Sequence, residues 1–305
     1  MGENHPWIFH FLNRCGLHEF SNFSFQYKFM KQAFLFGCLF FLFISLNAQT
    51  RQLVKKWETD SVFKVPESVL YDPDHRMLYV ANIDGKQPWE KDGLGSIGKM
   101  DINGKVINAE WITGFHAPKG MGLYRHTLYV ADVDRVVVVD LHQGKIAYTI
   151  EVPGSQALND ITIDAAGVIY VSDSRGKKVY RIQNGTPAVY LENLKGPNGL
   201  LMRGSELYVL DQGGMYKVND NKTLTLIADG MDGGTDGIEN VTGNDFIISC
   251  WAGVIWYVNA DGSKEKLLDT REQKINSADI GFDPVTKTVF VPTFWKNSVV
   301  AYEVK

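Results

Sequence analysis

Cysteine is scarce in this chain, with three residues among 305, at positions 15, 38 and 250. Three thiols cannot form the framework of bridges that holds small disulfide-rich domains together, so the fold must depend on a hydrophobic core. Blocks of lysine or arginine are also missing, and the formal net charge is −4. Because binding to a phosphate backbone needs a concentrated cationic surface, these features argue against nucleic acid as the main partner.

The composition is that of a folded globular protein, with 45% hydrophobic and 22% charged residues. The 29 glycines and 13 tyrosines indicate many turns and strands. The length is sufficient for two average domains, but repeat and all-β folds of this size are often single units.

One apolar run near the N-terminus, residues 33–46, follows Lys31 and precedes Ala48. Its 14 residues would cover about 21 Å as a helix, whereas the hydrocarbon core of a membrane is about 30 Å thick. A basic start, an apolar stretch and a small residue follow one another in secretory signal peptides. We therefore expect a signal peptide over 30–48 and a secreted or periplasmic protein without a stable membrane anchor. A transmembrane anchor and lipid attachment at Cys38 are the alternatives.

Residues 1–29 precede this signal and show no apolar periodicity at 2 or 3.6 residues. We interpret them as an upstream extension that results from a misassigned gene start, with Met30 as the true start. The expected mature chain is then a single domain over 49–305.

A phrase of two short strands recurs six times along the mature chain. Its second half reads Leu-Tyr-Val-Ala-Asn or a close variant, as at 78–82, 128–132 and 207–211. The six copies begin at residues 67, 119, 159, 198, 236 and 278, so they are 52, 40, 39, 38 and 42 residues apart. A period near 40 that is made of short strands is typical of a β-propeller blade.

Each period contains two further strand-like segments, which gives four strands per blade. The last period lacks one strand, and the unassigned segment 52–58 can supply it from the other end of the chain. Such closure removes an exposed sheet edge. The sequence therefore predicts an all-β, six-bladed β-propeller closed by an N-terminal strand. A solenoid of the same repeats is the alternative, but it would need capping units, which we do not find.

The first strand of each blade lines the central channel of a propeller. The residues that open these strands are Glu67, Lys119, Asn159, Asn198, Asp236 and Ala278. Carboxylate and carboxamide oxygens suit a hard cation, Ca²⁺ above all, with Mg²⁺ or Mn²⁺ as further candidates. The alternative is a buried polar cluster in which Lys119 pairs with Glu67 or Asp236.

Four short motifs resemble the SMP-30/gluconolactonase family, which includes the calcium-dependent diisopropyl fluorophosphatase. They are Pro66-Glu67-Ser68-Val69, Leu158-Asn159-Asp160, Pro197-Asn198-Gly199-Leu200 and Thr235-Asp236-Gly237-Ile238. The resemblance implies a six-bladed propeller with one divalent cation in its channel. It also implies the metal ligands, one each from the first, third, fourth and fifth blades: Glu67, Asn159, Asn198 and Asp236.

Two positions depart from the family pattern. Lys119 would bring an ammonium group into the channel, where it competes with a cation for the carboxylates. Ala278 stands where the family pattern has a histidine. His116, just before the second blade, either reaches over the channel mouth or lies on a loop surface, and the other histidines of the mature chain are outside the ring: His75, His126 and His142.

The first period is about ten residues longer than the others, and the excess lies in residues 84–95. In a propeller this loop emerges on the face where the ring residues lie, so it can cover the channel, with Trp89 as an aromatic wall. Trp251 and Trp295 follow second strands on the same face. With Lys119 they form the expected substrate-binding group; packing between blades is the alternative for each tryptophan.

Residues 93–98 match G-x-G-x-x-G, but the dinucleotide fingerprint also requires a helix to follow. A strand and a turn follow instead, so we interpret the match as a loop.

The resemblance implies a metal-dependent lactonase or esterase that acts on a small-molecule substrate. Asp236 is the expected general base, because a carboxylate at the metal can accept a proton from water. The alternative is a non-catalytic propeller that binds a small molecule or a protein partner at the channel mouth. In either case we expect a monomer.

Overall fold

The computed structural model describes residues 51–305, except Lys86. The expected upstream extension, 1–29, and the expected signal peptide, 30–48, lie outside the described residues. Within the described part of the chain, no helix has the length and apolar character needed to cross a membrane.

The described chain folds into six antiparallel sheets of four strands each. Blade 1 contains β2 (Pro66–Asp72), β3 (Met77–Asn82), β4 (Gly95–Asp101) and β5 (Val106–Phe115). Blade 2 contains β6 (Pro118–Tyr124), β7 (Thr127–Asp132), β8 (Arg135–Asp140) and β9 (Lys145–Glu151). Blade 3 contains β10 (Leu158–Ile163), β11 (Ile169–Asp173), β12 (Lys178–Gln183) and β13 (Thr186–Leu191).

The second half of the propeller repeats this order. Blade 4 contains β14 (Pro197–Arg203), β15 (Glu206–Asp211), β16 (Gly214–Val218) and β17 (Leu224–Ala228). Blade 5 contains β18 (Thr235–Thr242), β19 (Asp245–Cys250), β20 (Val254–Val258) and β21 (Lys264–Asp269). Blade 6 contains β22 (Gly281–Asp283), β23 (Thr288–Pro292), β24 (Val299–Val304) and β1 (Leu53–Glu58), with a short 3₁₀ helix at Phe294–Lys296.

The inner strands form a closed ring. They contact one another in the order β2, β6, β10, β14, β18 and β22, and β22 returns to β2. The prediction of an all-β, six-bladed propeller is therefore confirmed. The sixth copy begins at residue 278, but the inner strand of blade 6 covers only 281–283, and a single bridge, from Asp279 to Ser68, joins the preceding residues to β2.

The first and last described strands lie side by side. β1 pairs antiparallel with β24, from Leu53 opposite Val304 to Glu58 opposite Val300. Gln52 and Lys305 exchange two backbone hydrogen bonds of 2.9 Å. This pairing places β1 as the outermost strand of blade 6, so the two ends of the described chain share one sheet.

The aspartate that ends the recurring phrase has a structural role in blades 2 to 4. Asp132, Asp173 and Asp211 are buried, and each accepts hydrogen bonds from two backbone N–H groups just before the inner strand of its blade. These bonds satisfy donors that would otherwise be unpaired in the interior. They also fix the backbone two or three residues before the predicted ring residue of each of these blades.

The core lies between adjacent blades, where side chains of alternate positions meet. Val136 and Val138 of blade 2, for example, pack with Ile161 and Val171 of blade 3. The segment 93–98 enters β4, and β5 follows it. Residues 95–98 belong to β4, so the interpretation of this match as a loop was wrong for them; a turn and β5 follow β4 in the described structure.

Candidate functional site in the central channel

Five of the six predicted ring residues occupy the same register. Each is the second residue of its inner strand: Glu67 in β2, Lys119 in β6, Asn159 in β10, Asn198 in β14 and Asp236 in β18. The sixth, Ala278, precedes β22 and is fully buried against apolar neighbours that include Ile83 and Phe294. The ring is therefore built from five blades, and the sixth contributes no polar group at this level.

Only some of the ring residues contact one another directly. The Lys119 ammonium lies 3.7 Å from Glu67 Oε1, with the side chains of both residues almost fully buried. Asn198 Nδ2 donates a 2.8 Å hydrogen bond to Asp236 Oδ1. Asn159 Nδ2 donates instead to Ser174 Oγ at 3.1 Å, on the neighbouring loop. The pairing of Lys119 with Glu67 corresponds to the alternative that the sequence left open.

Two oxygen atoms of the ring have no hydrogen-bond partner among the described residues. They are Glu67 Oε2 and Asn198 Oδ1, and both are buried. An unpartnered buried acceptor is costly, and native structures usually explain it by an ion or a water. Carboxylate and carboxamide oxygens are the donors that Ca²⁺ and Mg²⁺ take, so this chemistry fits a hard divalent cation. No three His, Cys, Asp or Glu side chains of residues 51–305 converge on one metal position, so amide oxygens would have to complete the ligand set.

Burial governs the protonation of the ring. It raises the pKa of Glu67, and Lys119 partly offsets this rise. The pKa of Asp236 lies well above its ordinary value because of burial, and the charges of Glu67 and Asp279 raise it further. Burial lowers the pKa of Lys119 against the opposing effect of Glu67. The ring thus holds two carboxyl groups with one ammonium to compensate them.

A second layer lies one residue further along the inner strands, and the sequence reasoning missed it. Ser68 Oγ donates a 2.6 Å hydrogen bond to Asp279 Oδ2, which ties blade 1 to blade 6. Asp160 accepts the backbone N–H of Leu200 from the next blade at 2.6 Å. The same position holds Gly120 and Gly237, where a Cβ would collide with Asp160 and Asp279 respectively. The acids therefore fit only because the neighbouring blade has glycine.

This layer could have been read from the motifs, since each member directly follows a ring position. Beyond it the channel opens into a cavity of about 450 Å³, whose lining includes Asp160, Glu239 and Asp279. Burial raises the pKa of Asp279 to about 7 and that of Glu239 to about 8, and in the second case the Asp279 charge adds to the effect. The channel therefore carries carboxyl groups along much of its length.

The Trp89 indole lies beside Lys119, the ring residue of blade 2, and its role as a wall of the channel mouth stays a prediction. The Lys119 ammonium is 4.2 Å from the centre of the indole ring, and the Arg175 guanidinium is 5.1 Å from it. The loop that carries Trp89 is tied to blade 2 by an ion pair between Lys91 and Asp134. Trp89 is thus placed directly over the ring residue of blade 2.

Trp251 and Trp295 form a different group. Both rings pack edge-on against Phe294, at centroid distances of 5.5 and 4.8 Å. They remain 41% and 52% exposed, so they present aromatic surface at the junction of blades 5 and 6. The tryptophans therefore pack in two separate groups, one with Lys119 and one with Phe294.

His116 is less exposed than a loop-surface residue would be. It is half-buried, and its Nδ1 atom is shielded from solvent without a hydrogen-bond partner in the described part of the chain. Its backbone N–H donates to the Asp132 carboxylate at 2.9 Å, which holds the residue immediately before β6. It lies on the same face as the ring but belongs to the loop that precedes the channel.

Comparison with solved structures identifies the architecture. The chain matches a protein provisionally assigned as a gluconolactonase with a TM-score of 0.63, at 15% identity over 84% of this chain and 92% of that chain. It matches virginiamycin B lyase of Staphylococcus aureus with a TM-score of 0.57, at 13% identity over 83% and 99% of the two chains. A chain of the nidogen/laminin complex matches with a TM-score of 0.59, at 17% identity over 72% and 84%.

No protein-family profile matches the chain, and no curated protein matches its sequence significantly. Since all three identities are below 20%, the likeness concerns the fold, and it includes enzymes as well as a component of a protein complex. The chain is a six-bladed β-propeller that shares its fold with the protein provisionally assigned as a gluconolactonase, in agreement with the family that its motifs resemble.

Proposed function

We propose that this protein is a divalent-metal-dependent hydrolase of lactones or related esters, which acts on a small-molecule substrate at the ring end of the channel. The observation that carries the proposal is the pair of buried, unpartnered oxygens, Glu67 Oε2 and Asn198 Oδ1, in a ring of common register. The fold shared with a protein provisionally assigned as a gluconolactonase is compatible with the same class of reaction.

The proposed ligands are Glu67, Asn159, Asn198 and Asp236, and the proposed ion is Ca²⁺, with Mg²⁺ or Mn²⁺ as alternatives. Such an ion, when bound, polarises an ester carbonyl and lowers the pKa of water. Asn159 and Asn198 donate through their amide nitrogens, to Ser174 and Asp236, so their amide oxygens are the atoms that would bind the ion, and Asn198 Oδ1 has no other partner among the described residues.

Asp236 is the proposed general base. Burial raises the pKa of Asp236 in the metal-free ring, and a bound dication would lower it again, so that the ionised carboxylate can accept a proton. Asn198 binds Oδ1 of this carboxylate and so fixes the direction of Oδ2. Lys119 supplies a buried positive charge beside Trp89, where a substrate carbonyl or a developing negative charge can be stabilised. Trp89, Trp251 and Trp295 are the proposed apolar walls of the mouth.

A second candidate function rests on the contact between Lys119 and Glu67. If this ammonium is the permanent counter-charge of the ring, the propeller binds a small molecule or a protein partner at the mouth without metal or catalysis. Propellers serve both purposes, so the ring itself has to be tested.

The test compares wild type with Glu67→Gln and Asp236→Asn, which each remove one charge with little change in volume. We expect each variant to bind Ca²⁺ at least about tenfold more weakly in calorimetric titration. We also expect it to lose hydrolysis of a panel of aldonolactones and aryl esters. Glu303→Gln, which changes a half-buried carboxylate of β24 far along the chain from the ring motifs, is the matched control and should behave as wild type. A wild-type protein that contains no metal and binds no Ca²⁺ would support the non-catalytic alternative.

We further propose that the protein is exported and functions as a monomer. The basis for export is the order of basic, apolar and small residues over 30–48, whereas the monomeric state rests on the expectation from the sequence alone. N-terminal sequencing of the exported protein should begin at Gln49, and sedimentation should give the mass of one chain. A mature chain that retains residues 1–29 would contradict both the start site and the cleavage site.

A further inference from the structure

We propose that a borderline transition-metal ion, of the class of Zn²⁺ or Cu²⁺, binds to a cluster of three histidines on the face opposite the channel mouth. The histidines are His75, His126 and His142. They lie in the loops that join β2 to β3, β6 to β7 and β8 to β9, at the far ends of blades 1 and 2. All three are exposed, so an ion can reach them from solvent.

The spacing of the rings is close to that of metal ligands. The His126 ring centre lies 4.2 Å from that of His142 and 6.3 Å from that of His75. With Zn–N bonds of about 2.0–2.1 Å and a tetrahedral angle, two ligating imidazoles have centres roughly 5 Å apart. As placed, the three side chains do not meet at one point. The two measured separations differ from this value by about 1 Å, and exposed side chains change rotamer within nanoseconds.

A buried carboxylate orients one of the three rings. His75 Nδ1 lies 2.9 Å from Asp72 Oδ2. Asp72 is fixed in turn, because it accepts the backbone N–H groups of Asp74 and His75 and the hydroxyl of Tyr79. A carboxylate that accepts from Nδ1 selects the tautomer whose Nε2 carries the free lone pair. This outer partner is the one that metal-binding histidines usually have.

The ligand type decides which ions fit. Neutral imidazole nitrogens favour Zn²⁺, Cu²⁺ and Ni²⁺, whereas Ca²⁺ and Mg²⁺ prefer oxygen. The histidine cluster is therefore chemically distinct from the oxygen-lined ring, and it lies at the opposite ends of the strands. Three protein ligands leave one tetrahedral position for water or for an external group.

The test is calorimetric titration of the full chain with ZnCl₂ in the presence of excess CaCl₂, which occupies any oxygen-lined site. His126 is the decisive residue, because its ring lies between the other two and is exposed, so that His126→Gln should fold normally. We expect this variant to lose one equivalent of bound Zn²⁺. Asp72→Asn should weaken the same equivalent by about 10- to 100-fold, the usual effect of losing an outer carboxylate.

His116→Gln changes a histidine of the opposite face and is the matched control, with an expected affinity equal to that of wild type. Equal binding by wild type and His126→Gln would overturn the proposal and assign the ion to other residues of the chain. The absence of Zn²⁺ binding by wild type at micromolar concentration would overturn it as well. Thermal melting of Asp72→Asn without metal shows whether a loss of affinity reflects unfolding, since Asp72 is buried.

Discussion

Replacing Lys119 by methionine removes the one ammonium group that, among the described residues, faces the ring carboxyls, and it keeps most of the side-chain volume. Lys119 is 2% exposed, Glu67 is 4% exposed, and their charged atoms are 3.7 Å apart. Glu67 Oε2 already lacks a partner, so after the substitution no cation compensates this carboxylate. Breaking a buried ion pair from one side typically costs about 3–5 kcal/mol.

This cost has an upper limit, because Glu67 can take up a proton instead of remaining charged without a partner. An ordinary glutamate has a pKa of 4.5, and holding it protonated at pH 7 costs about 1.36 kcal/mol for each of two and a half pH units, or about 3.4 kcal/mol. In the variant the folded-state pKa of Glu67 rises further above the unfolded value. The free energy of unfolding is therefore preserved near pH 4.5 and declines as the pH rises toward the folded-state pKa. At pH 5 the same limit is below about 1 kcal/mol.

The assay is thermal unfolding of metal-free protein in a chelating buffer at pH 7 and at pH 5. For a domain of this size about 3 kcal/mol corresponds to roughly 10 °C, so Lys119→Met should melt roughly 10 °C below wild type at pH 7 and nearly with it at pH 5. Addition of Ca²⁺ should restore most of the difference, because a dication compensates the same carboxyls.

Lys56→Met is the matched control. Lys56 pairs with Glu303 at 2.9 Å on the surface, where an ion pair contributes at most about 1 kcal/mol. Equal melting temperatures of Lys119→Met and wild type at pH 7 would refute the reasoning, since the contact with Glu67 would then contribute nothing to the stability of the ring.

Three further predictions concern the fold and the channel. Deleting residues 49–59 removes β1 and exposes the edge of β24, so the melting temperature should fall sharply or the protein should become insoluble. An unchanged melting curve would contradict a stabilising role of the β1–β24 pairing. Gly120→Ala should lower the urea concentration at the midpoint of unfolding, because the added Cβ collides with Asp160. Gly233→Ala is the control, since a Cβ there meets nothing within 4 Å, and its midpoint should not change. Equal effects of the two substitutions would exclude the steric explanation. Glu239 has a folded-state pKa of about 8 against an ordinary 4.5, so the folded protein loses stability relative to the unfolded chain as the pH rises from 4.5 to 8. Glu239→Gln lacks this carboxyl, so its stability relative to wild type should increase between pH 5 and pH 8. Parallel pH profiles of the two proteins would show that Glu239 does not titrate in that range.

The sequence alone determined the number of blades and the register of the ring. Strands alternate their side chains with a period of two, and a repeat near 40 residues places equivalent residues at equivalent heights in every blade. Glu67 and Asp236 could therefore be assigned to one ring although 169 positions separate them. The same logic predicts that the long loop with Trp89 emerges on the face of the ring residues, because it lies between the second and third strands of blade 1.

Only the tertiary structure decided which of these residues touch. The contact of Lys119 with Glu67, the hydrogen bond from Ser68 to Asp279 and the proximity of His75 to His126 all join different blades. Their distances depend on how far each blade is rotated against the next and on where glycine lets two strands approach. A repeat pattern specifies what each blade contains and at what height, but the closed ring sets the separation between blades, and side-chain chemistry depends on that separation.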